Sequence, residues 1–349
     1  MQKAEPQRSA ICLGLPNALS PLGPAHFMNS QADRLTLVGD VGGTNCRLAL
    51  AERTAVGGIE LHHSERFAVA EYDHFNDVVA AYLDAHKIDV KQGAFAFAGP
   101  KFDDEIRMTN LNWIVSEEEL QKRFGLETAV VLNDFVAMAN GATVIPDDGF
   151  ETLIAGKVDY SKAVAVLGPG TGLGLSYVLP GKPLRIIPTE GGHTAFAPGN
   201  DLEREVLAYW SERLSFVSAE ALLSGPGLER LHMAICAIMG SPDNGLTAPE
   251  IVSAAELDKS SIARVTVNHF CSMLGGFAGN AAVTQGASGG VVIGGGVSRH
   301  IAKFIDGSEF TSRFKDRGPG SWYVKNIPVR LIQANFVPLY GAAAMVLNT

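Results

Sequence analysis

The sequence predicts an α/β fold in which one strand–turn–strand unit occurs twice, and three observations carry that prediction. From Leu35 onward, apolar runs of strand length alternate with stretches of helical periodicity. The stretch "LTLVGDVGGTNCRLAL" at 35–50 returns in kind as "AVAVLGPGTGLGLSYVL" at 163–179, each an apolar strand, a Gly/Thr turn and a second strand. With 349 residues, 46% hydrophobic and 19% charged, the chain can bury a large core and has room for two domains.

The elements follow in order. Residues 1–34 are rich in Pro, Ser, Asn and Gly without either regular period, and read as a disordered arm. "LTLVGD", "CRLALAE" and "HHSERFAVA" are strands. In "HFNDVVAAYLDAHK", Phe75, Val78, Val79, Tyr82, Leu83 and His86 fall on one helical face. The runs "GAFAFAGP" and "TAVVLND" are buried strands of an α/β sheet. Between them "VSEEELQKRFG" offers Ser116 and Glu119 as a capping box and Gly125 as a helix stop. "GGVVIGGGVSRHIAKFI" reads as a strand over 290–293, a turn of Gly294, Gly295 and Gly296, and a helix.

Composition excludes several classes. Lys and Arg total 28 against 37 Asp and Glu, a net charge of −9, which offers no attraction for nucleic acid or anionic lipid. No apolar run reaches the ~20 residues of a membrane span, and Pro16 breaks "AICLGLPNAL" too early for a signal peptide. A cytoplasmic location is expected. Cys12, Cys46, Cys236 and Cys271 form no metal or disulfide pattern and read as small buried hydrophobes.

Glycine turns set between strands let backbone N–H groups approach an anion, with Thr hydroxyls as further donors, so phosphate is the expected tenant. Gly39, Asp40, Gly42, Gly43, Thr44 and Asn45 form the first turn, and Gly168, Gly170, Thr171 and Gly172 the second. Neither P-loop nor dinucleotide fingerprint fits these clusters. "VVLNDF" sets Asn133 and Asp134 at the carboxyl end of a strand, where α/β folds gather ligands; Asp134 is there either a proton acceptor or a helix cap. "TEGGHTAF" adds Glu190 and His193, and "SAEALLSGPGL" adds Glu220, side chains able to pair with ligand hydroxyls; taken alone, His193 reads as a polar loop residue and Glu220 as a helix-surface charge beside Ser218. His193 has no second histidine at ligand spacing, so metal ligation through it is not expected.

The three glycine clusters resemble the phosphate-1, phosphate-2 and adenosine motifs of the actin, hexokinase and heat-shock ATPase superfamily. Within it, "VGDVGGTN", "MTNLNW", "LNDF", "GPGTGLG", "EGGH" and "SAEALLSGPGL" together resemble the bacterial hexokinase-like glucokinases, from Leu35 to the end. The related ROK branch carries a cysteine-rich zinc motif that this chain lacks. The resemblance implies two ribonuclease-H-like lobes closing on a cleft: a small lobe of 35–143 with 334–349, and a large lobe of 144–333. It implies ATP-dependent phosphorylation of glucose, Asp134 as catalytic base, and Asn133, Asp134, Glu190, His193 and Glu220 as sugar ligands. The first two clusters would hold the phosphates, Gly294–Gly296 the adenosine, and Asp40 would hold Mg²⁺ through water, since an acid facing phosphates needs an intervening cation. A homodimer is implied. Arg47 follows the first turn directly, but strand alternation leaves its direction open and it stays outside the predicted site. A kinase for another hexose, an ATPase of another class and a non-catalytic sugar sensor are the alternatives; the sensor would need a DNA-binding module, for which only residues 1–34 have room.

Overall fold

The computed structural model describes residues 34–108 and 111–347. The predicted arm therefore lies almost wholly outside the described residues, as do Cys12 and two residues of "MTNLNW".

The first sheet is built from β1 (Thr36–Val41), β2 (Asn45–Arg53), β3 (Ile59–Ala68) and β4 (Gln92–Phe97). A small meander follows: β5 (Lys101–Phe102), β6 (Glu105–Arg107) and β7 (Ile114–Ser116). Strand β8 (Thr128–Asn133) then completes the first sheet in the order β3-β2-β1-β4-β8. β1 pairs antiparallel with β2 and parallel with β4. Helix α1 (Phe75–His86) buries Phe75, Val78, Val79 and Tyr82 against one face. Because the other face is also covered, β1 reads as a continuous apolar run.

Helix α2 (Glu117–Phe124) departs from the capping-box expectation. Ser116 occupies the N-cap position and Gly125 closes the helix in the left-handed region, but the Ser116 side chain accepts no bond. Glu119 instead accepts from Asn76 on α1, at 2.5 Å. Glu117 accepts from the Val131 amide and from Lys101, so tertiary partners displace the local cap.

The second sheet repeats the plan. It contains β9 (Phe150–Ile154), β10 (Val164–Pro169), β11 (Leu173–Leu179), β12 (Arg185–Thr189), β13 (Gly290–Ile293) and β14 (Val329–Ile332), in the order β12-β11-β10-β13-β14-β9. β10, like β1, pairs antiparallel with its hairpin partner and parallel with the next strand.

Helix α3 (Asp134–Gly141) joins the two halves, touching β4 and β8 on one side and β10, β11 and β12 on the other. The second half then adds α4 (Asp201–Ser211), α5 (Gly225–Ile238), α6 (Ala248–Leu257) and the central α7 (Ile262–Thr284). Short helices α8 (Gly296–Ile301), α9 (Phe310–Lys315) and α10 (Ser321–Val324) follow. Gly275 and Gly279 on α7 lie so close to the carbonyls of Phe310 and Phe314 that a Cβ would collide with them, which lets α9 sit directly on α7.

The last helix, α11 (Val337–Leu347), returns to the first sheet, packing Leu339, Ala342 and Ala343 against Val38, Ala94 and Ala96. It meets α3 backbone to backbone: a Cβ at Gly341 would strike the Ala137 carbonyl, and one at Gly141 the Val337 carbonyl. The helix that begins with Asp134 is thereby fixed between the sheets. No described helix is long and apolar enough to cross a membrane. Cys46, Cys236 and Cys271 are free, buried thiols.

Candidate active site

A cleft of about 450 Å³ opens beside the first glycine turn, lined by Asp40, Gly42, Gly43, Thr44 and Asn45, with Thr171 arriving from the second turn. Besides Asp40, its charged lining comes from residues outside the predicted site. Arg47, Arg66 and Arg299 all line it. Strand register accounts for two of them: Asp40 on β1 stands opposite Arg47 on β2, and Arg47 opposite Arg66 on β3, so the three form one row across the hairpins. Two arginines directly across from each other repel, and an anion above them would relieve that repulsion. Arg66 Nε donates to Asn45 Oδ1 at 2.8 Å, and the Arg47 guanidinium lies 4.4 Å from the Phe336 ring centre. Phe336 sits at φ 60° on the cleft wall, a left-handed conformation that is costly for an aromatic residue. Arg299 is anchored by Asn335 and the Ala334 carbonyl.

The predicted glycines divide by what their missing side chains would meet. At Gly42 a Cβ would find only the Asn45 carbonyl, at 3.6 Å, and at Gly170 and Gly296 nothing within 4 Å; the space there is free for a ligand. Gly39 instead packs under Phe95 and Leu48, at 2.9 and 3.0 Å. Gly168 is pressed against the Gly294 backbone and Gly295 against the Pro169 carbonyl, so the second and third clusters lock together. Gly294 is tight against Met138, and Gly172 abuts the Glu220 carboxylate. These five are glycines because something solid is close.

The sugar candidates gather at the ends of β8 and β11. Glu220 Oε2 accepts from the Leu173 amide at 2.7 Å, tying its carboxylate to the second turn. His193 Nε2 stands 3.9 Å from both Glu220 Oε1 and Glu190 Oε2. The side chains of Glu190 and His193 are exposed, which leaves their polar atoms free for a ligand.

The helix-cap alternative for Asp134 resolves onto its neighbour. Asn133 is the N-cap: its Oδ1 accepts from the amides of Phe135 and Val136, at 2.9 and 3.3 Å, and its Nδ2 donates to the Gly99 carbonyl at 3.1 Å. One Asn133 N–H remains for a ligand. Asp134 opens α3 and accepts from the Phe135 amide at 2.8 Å. Burial first, and then the charges of Asp40 and Glu190, push its carboxyl up to about 7 against the backbone bonds that lower it. Burial also lifts Asp40 to about 6, opposed by Arg47. Two buried acids, one of which raises the other by its charge, are a donor set that suits a divalent cation.

Among the described residues, one group of three side chains has ligand atoms close enough for a metal ion, Glu52, Glu60 and His62, and it stands on the β2–β3 hairpin away from this cleft.

Comparison with known proteins is consistent over nearly the whole chain. The glucokinase family profile matches residues 37–349. A glucokinase of Chromobacterium violaceum is 40% identical over 312 residues, 88% of each chain. The crystal structure of a glucokinase from an Antarctic psychrotroph superposes with a TM-score of 0.82 at 32% identity, covering 90% of this chain and 99% of that one. A ROK family glucokinase of Streptomyces griseus, solved with glucose and AMPPNP, shares the fold at 19% identity, with a TM-score of 0.64 over 90% of this chain and all of that one. With the duplicated sheets, the two glycine turns facing one cleft and a matching profile over 313 residues from 37 to 349, the chain belongs to the glucokinase family.

Proposed function

We propose that this cleft transfers the γ-phosphoryl group of ATP to the 6-hydroxyl of glucose, with Asp134 as the proton acceptor. The observation that carries the assignment is Asp134 itself, standing between the Asp40–Arg47–Arg66 row and the Glu190–His193–Glu220 cluster, and coupled by charge to both sides. The ligands in the Streptomyces griseus structure, glucose and AMPPNP, support the same pair of substrates here.

The roles follow from the chemistry of each group. Glu190, His193, Glu220 and the spare Asn133 N–H hold the sugar hydroxyls. The turns at Gly42–Asn45 and Gly170–Gly172 receive the phosphates on backbone N–H groups and Thr hydroxyls, with Arg47, Arg66 and Arg299 balancing their charge. Gly294–Gly296 lie under the adenosine. In a loose phosphoryl-transfer transition state the sugar hydroxyl needs orientation and a late proton acceptor. A carboxyl poised near 7 is a better base than an ordinary one and is still about half ionised at neutral pH.

Mg²⁺ fits beside Asp40, held through water, where it would neutralise β- and γ-phosphate charge. We assign the lobes to 35–143 with 334–349 and to 144–333, closing on the sugar to exclude the water that competes for the phosphoryl group. Residues 1–34 are then an arm the reaction does not need, and a chain starting at Asp33 keeps full turnover. A homodimer in the cytoplasm, supplying glucose 6-phosphate as the first step of glucose breakdown, completes the reading; sedimentation of the purified chain tests the dimer.

The decisive experiment is Asp134→Asn. Asn keeps the shape and cannot take the proton, so the variant folds and binds glucose while kcat falls by roughly 10²–10⁴. A folded variant that binds glucose and turns over within a few-fold of the parent removes Asp134 from the mechanism.

A further inference from the structure

A second cavity, of about 510 Å³, lies in the larger half between α7, strands β11 and β12 and the segment 194–199, and the reaction described above makes no use of it. Its volume is that of a small-molecule site. Tyr177, Phe196, Met273 and Phe277 give it an apolar wall, and Arg313, Asp316 and Arg317 line it as well.

The two arginines differ in how their charge is met. Arg313 forms a two-pronged ion pair with Glu203, at 2.6 and 3.0 Å, and Glu203 is 1% exposed with its carboxyl held down to about 2. Arg313 is thus committed to the fold. Arg317 is half-buried, and its hydrogen bonds run to neutral groups: the carbonyls of Phe314 and Arg313 and the side-chain oxygen of Asn280. Asp316 is near enough to act on it by charge, but is itself exposed and accepts from the Gly318 amide at 3.1 Å. A second guanidinium, partly removed from water beside the first and without a carboxylate in its hydrogen bonds, is under-compensated. A ligand anion would correct that.

The far wall of the cavity is the back of the sugar loop. Thr189, Gly191 and Thr194 line it, while Glu190 and His193, interleaved with them, belong to the sugar cluster. The loop is also held by the Glu220 amide donating to the Gly192 carbonyl and the Ala219 amide to the Thr194 carbonyl, at 2.9 and 2.8 Å. A molecule seated in the cavity therefore presses on the backbone that carries Glu190 and His193, though it touches neither of them.

We propose that this cavity binds a small organic anion, its acidic head on Arg317 and its apolar body against Phe196 and Phe277, and that occupancy alters the enzyme's affinity for glucose through the shared loop. The binding half stands alone; the coupling half rests on the assignment of Glu190 and His193 to the sugar site.

The test uses the full chain and the fluorescent probe 8-anilinonaphthalene-1-sulfonate, an aromatic anion of this class. One saturable site is expected, undisturbed by AMPPNP, with affinity lost at least tenfold in Arg317→Gln and in Thr284→Trp, which plugs the exposed rim of the cavity. At saturating probe, the KM for glucose shifts at least threefold with kcat little changed. Absence of saturable binding, equal binding in parent and both variants, or displacement by AMPPNP overturns the site. Binding that meets these criteria but leaves KM for glucose unmoved overturns the coupling. Failure of Asp134→Asn to reduce turnover would undo the catalytic assignment without touching the probe measurements.

Discussion

The turn at Gly42–Asn45 and the turn at Gly170–Gly172 occupy equivalent places in the two sheets, yet one is made with charge and the other with close backbone packing. Around the first stand Asp40, Arg47, Arg66 and Arg299, and the glycine side facing the cleft is open. The second has no charged residue of its own between Gly168 and Gly172. It is held by Gly168 against Gly294, by Gly172 against Glu220 and by the Gly225 amide donating to the Gly170 carbonyl at 2.8 Å. A duplicated unit has thus split its labour: the first copy supplies electrostatics, the second a rigid wall. Their sensitivities to substitution should differ accordingly.

The largest effect belongs to the second turn. In Gly168→Ala the new methyl would collide with the Gly294 backbone, and overpacking of this kind costs about 1–3 kcal/mol or more, roughly 2–4 °C of Tm per kcal/mol at this size. At Gly170, two residues on, a Cβ has nothing within 4 Å, which leaves room for Gly170→Val. It should melt with the parent and raise the KM for ATP at least tenfold, because its side chain enters only ligand space. Thermal melts beside ATP kinetics for the pair check this; equal loss of Tm in both would erase the distinction between packing and ligand glycines.

At the first turn the expected loss is in affinity, with stability kept. Arg47→Met removes one charge-assisted phosphate contact, worth about 1.5–3 kcal/mol, so the KM for ATP rises roughly 10–100-fold and loses part of its salt dependence. No variant confined to Gly168–Gly172 should change that salt dependence.

How much of this was legible in the sequence follows the same division. Glycine spacing exposed both turns, and the repeat of strand, turn and strand exposed the duplication, because both are local patterns. Which glycine faces a ligand was not legible: Gly39 and Gly168 read like Gly42 and Gly170, and only tertiary neighbours separate them. Arg47 could have been placed by the hairpin register opposite Asp40, a signal present in the short turn but not used. Arg66 and Arg299 could not, since they arrive from β3 and α8 through sheet assembly. Ser116 failed as a capping box because Asn76 and Val131 competed for the glutamates across space. The meander β5–β7 has strands of two or three residues, too short for any periodicity to show.

Burial of Asp134 sets most of the pH response, and the first turn adds to it through Asp40. Asp134 must be ionised to accept a proton, so with its carboxyl near 7, kcat/KM for glucose should fall about tenfold per pH unit below 7, where an ordinary carboxylate would break near 4. Asp40→Asn removes one of the charges that raise Asp134 and should move the break to lower pH, whereas Gly170→Val should not. Stability carries the opposite sign. The folded state holds this proton up to about pH 7 and the unfolded chain only to its ordinary value of 3.8. The folded state therefore loses stability as pH rises from about 4, and the loss is complete above 7. Asp134→Asn should accordingly melt a few degrees above the parent at pH 8 and level with it near pH 4.

The smallest effect tests whether the first turn needs its geometry as well as its charge. Arg66 orients the turn by donating Nε to Asn45 Oδ1 at 2.8 Å, while its charge adds to that of Arg47 beside it. Arg66→Lys keeps the charge but cannot hold Asn45 with a planar fork and face phosphate together. If charge alone matters, the KM for ATP stays at the parental value. If the turn must also be held in shape, KM rises a few-fold in Arg66→Lys, and Asn45→Ala reproduces the same rise, because both remove one hydrogen bond. Arg66→Gln separates the two contributions: it loses the charge as well, and should exceed Arg66→Lys by the share that is electrostatic. Because salt screens charge and not shape, the Lys variant's rise should persist at high ionic strength, and the additional rise in the Gln variant should shrink.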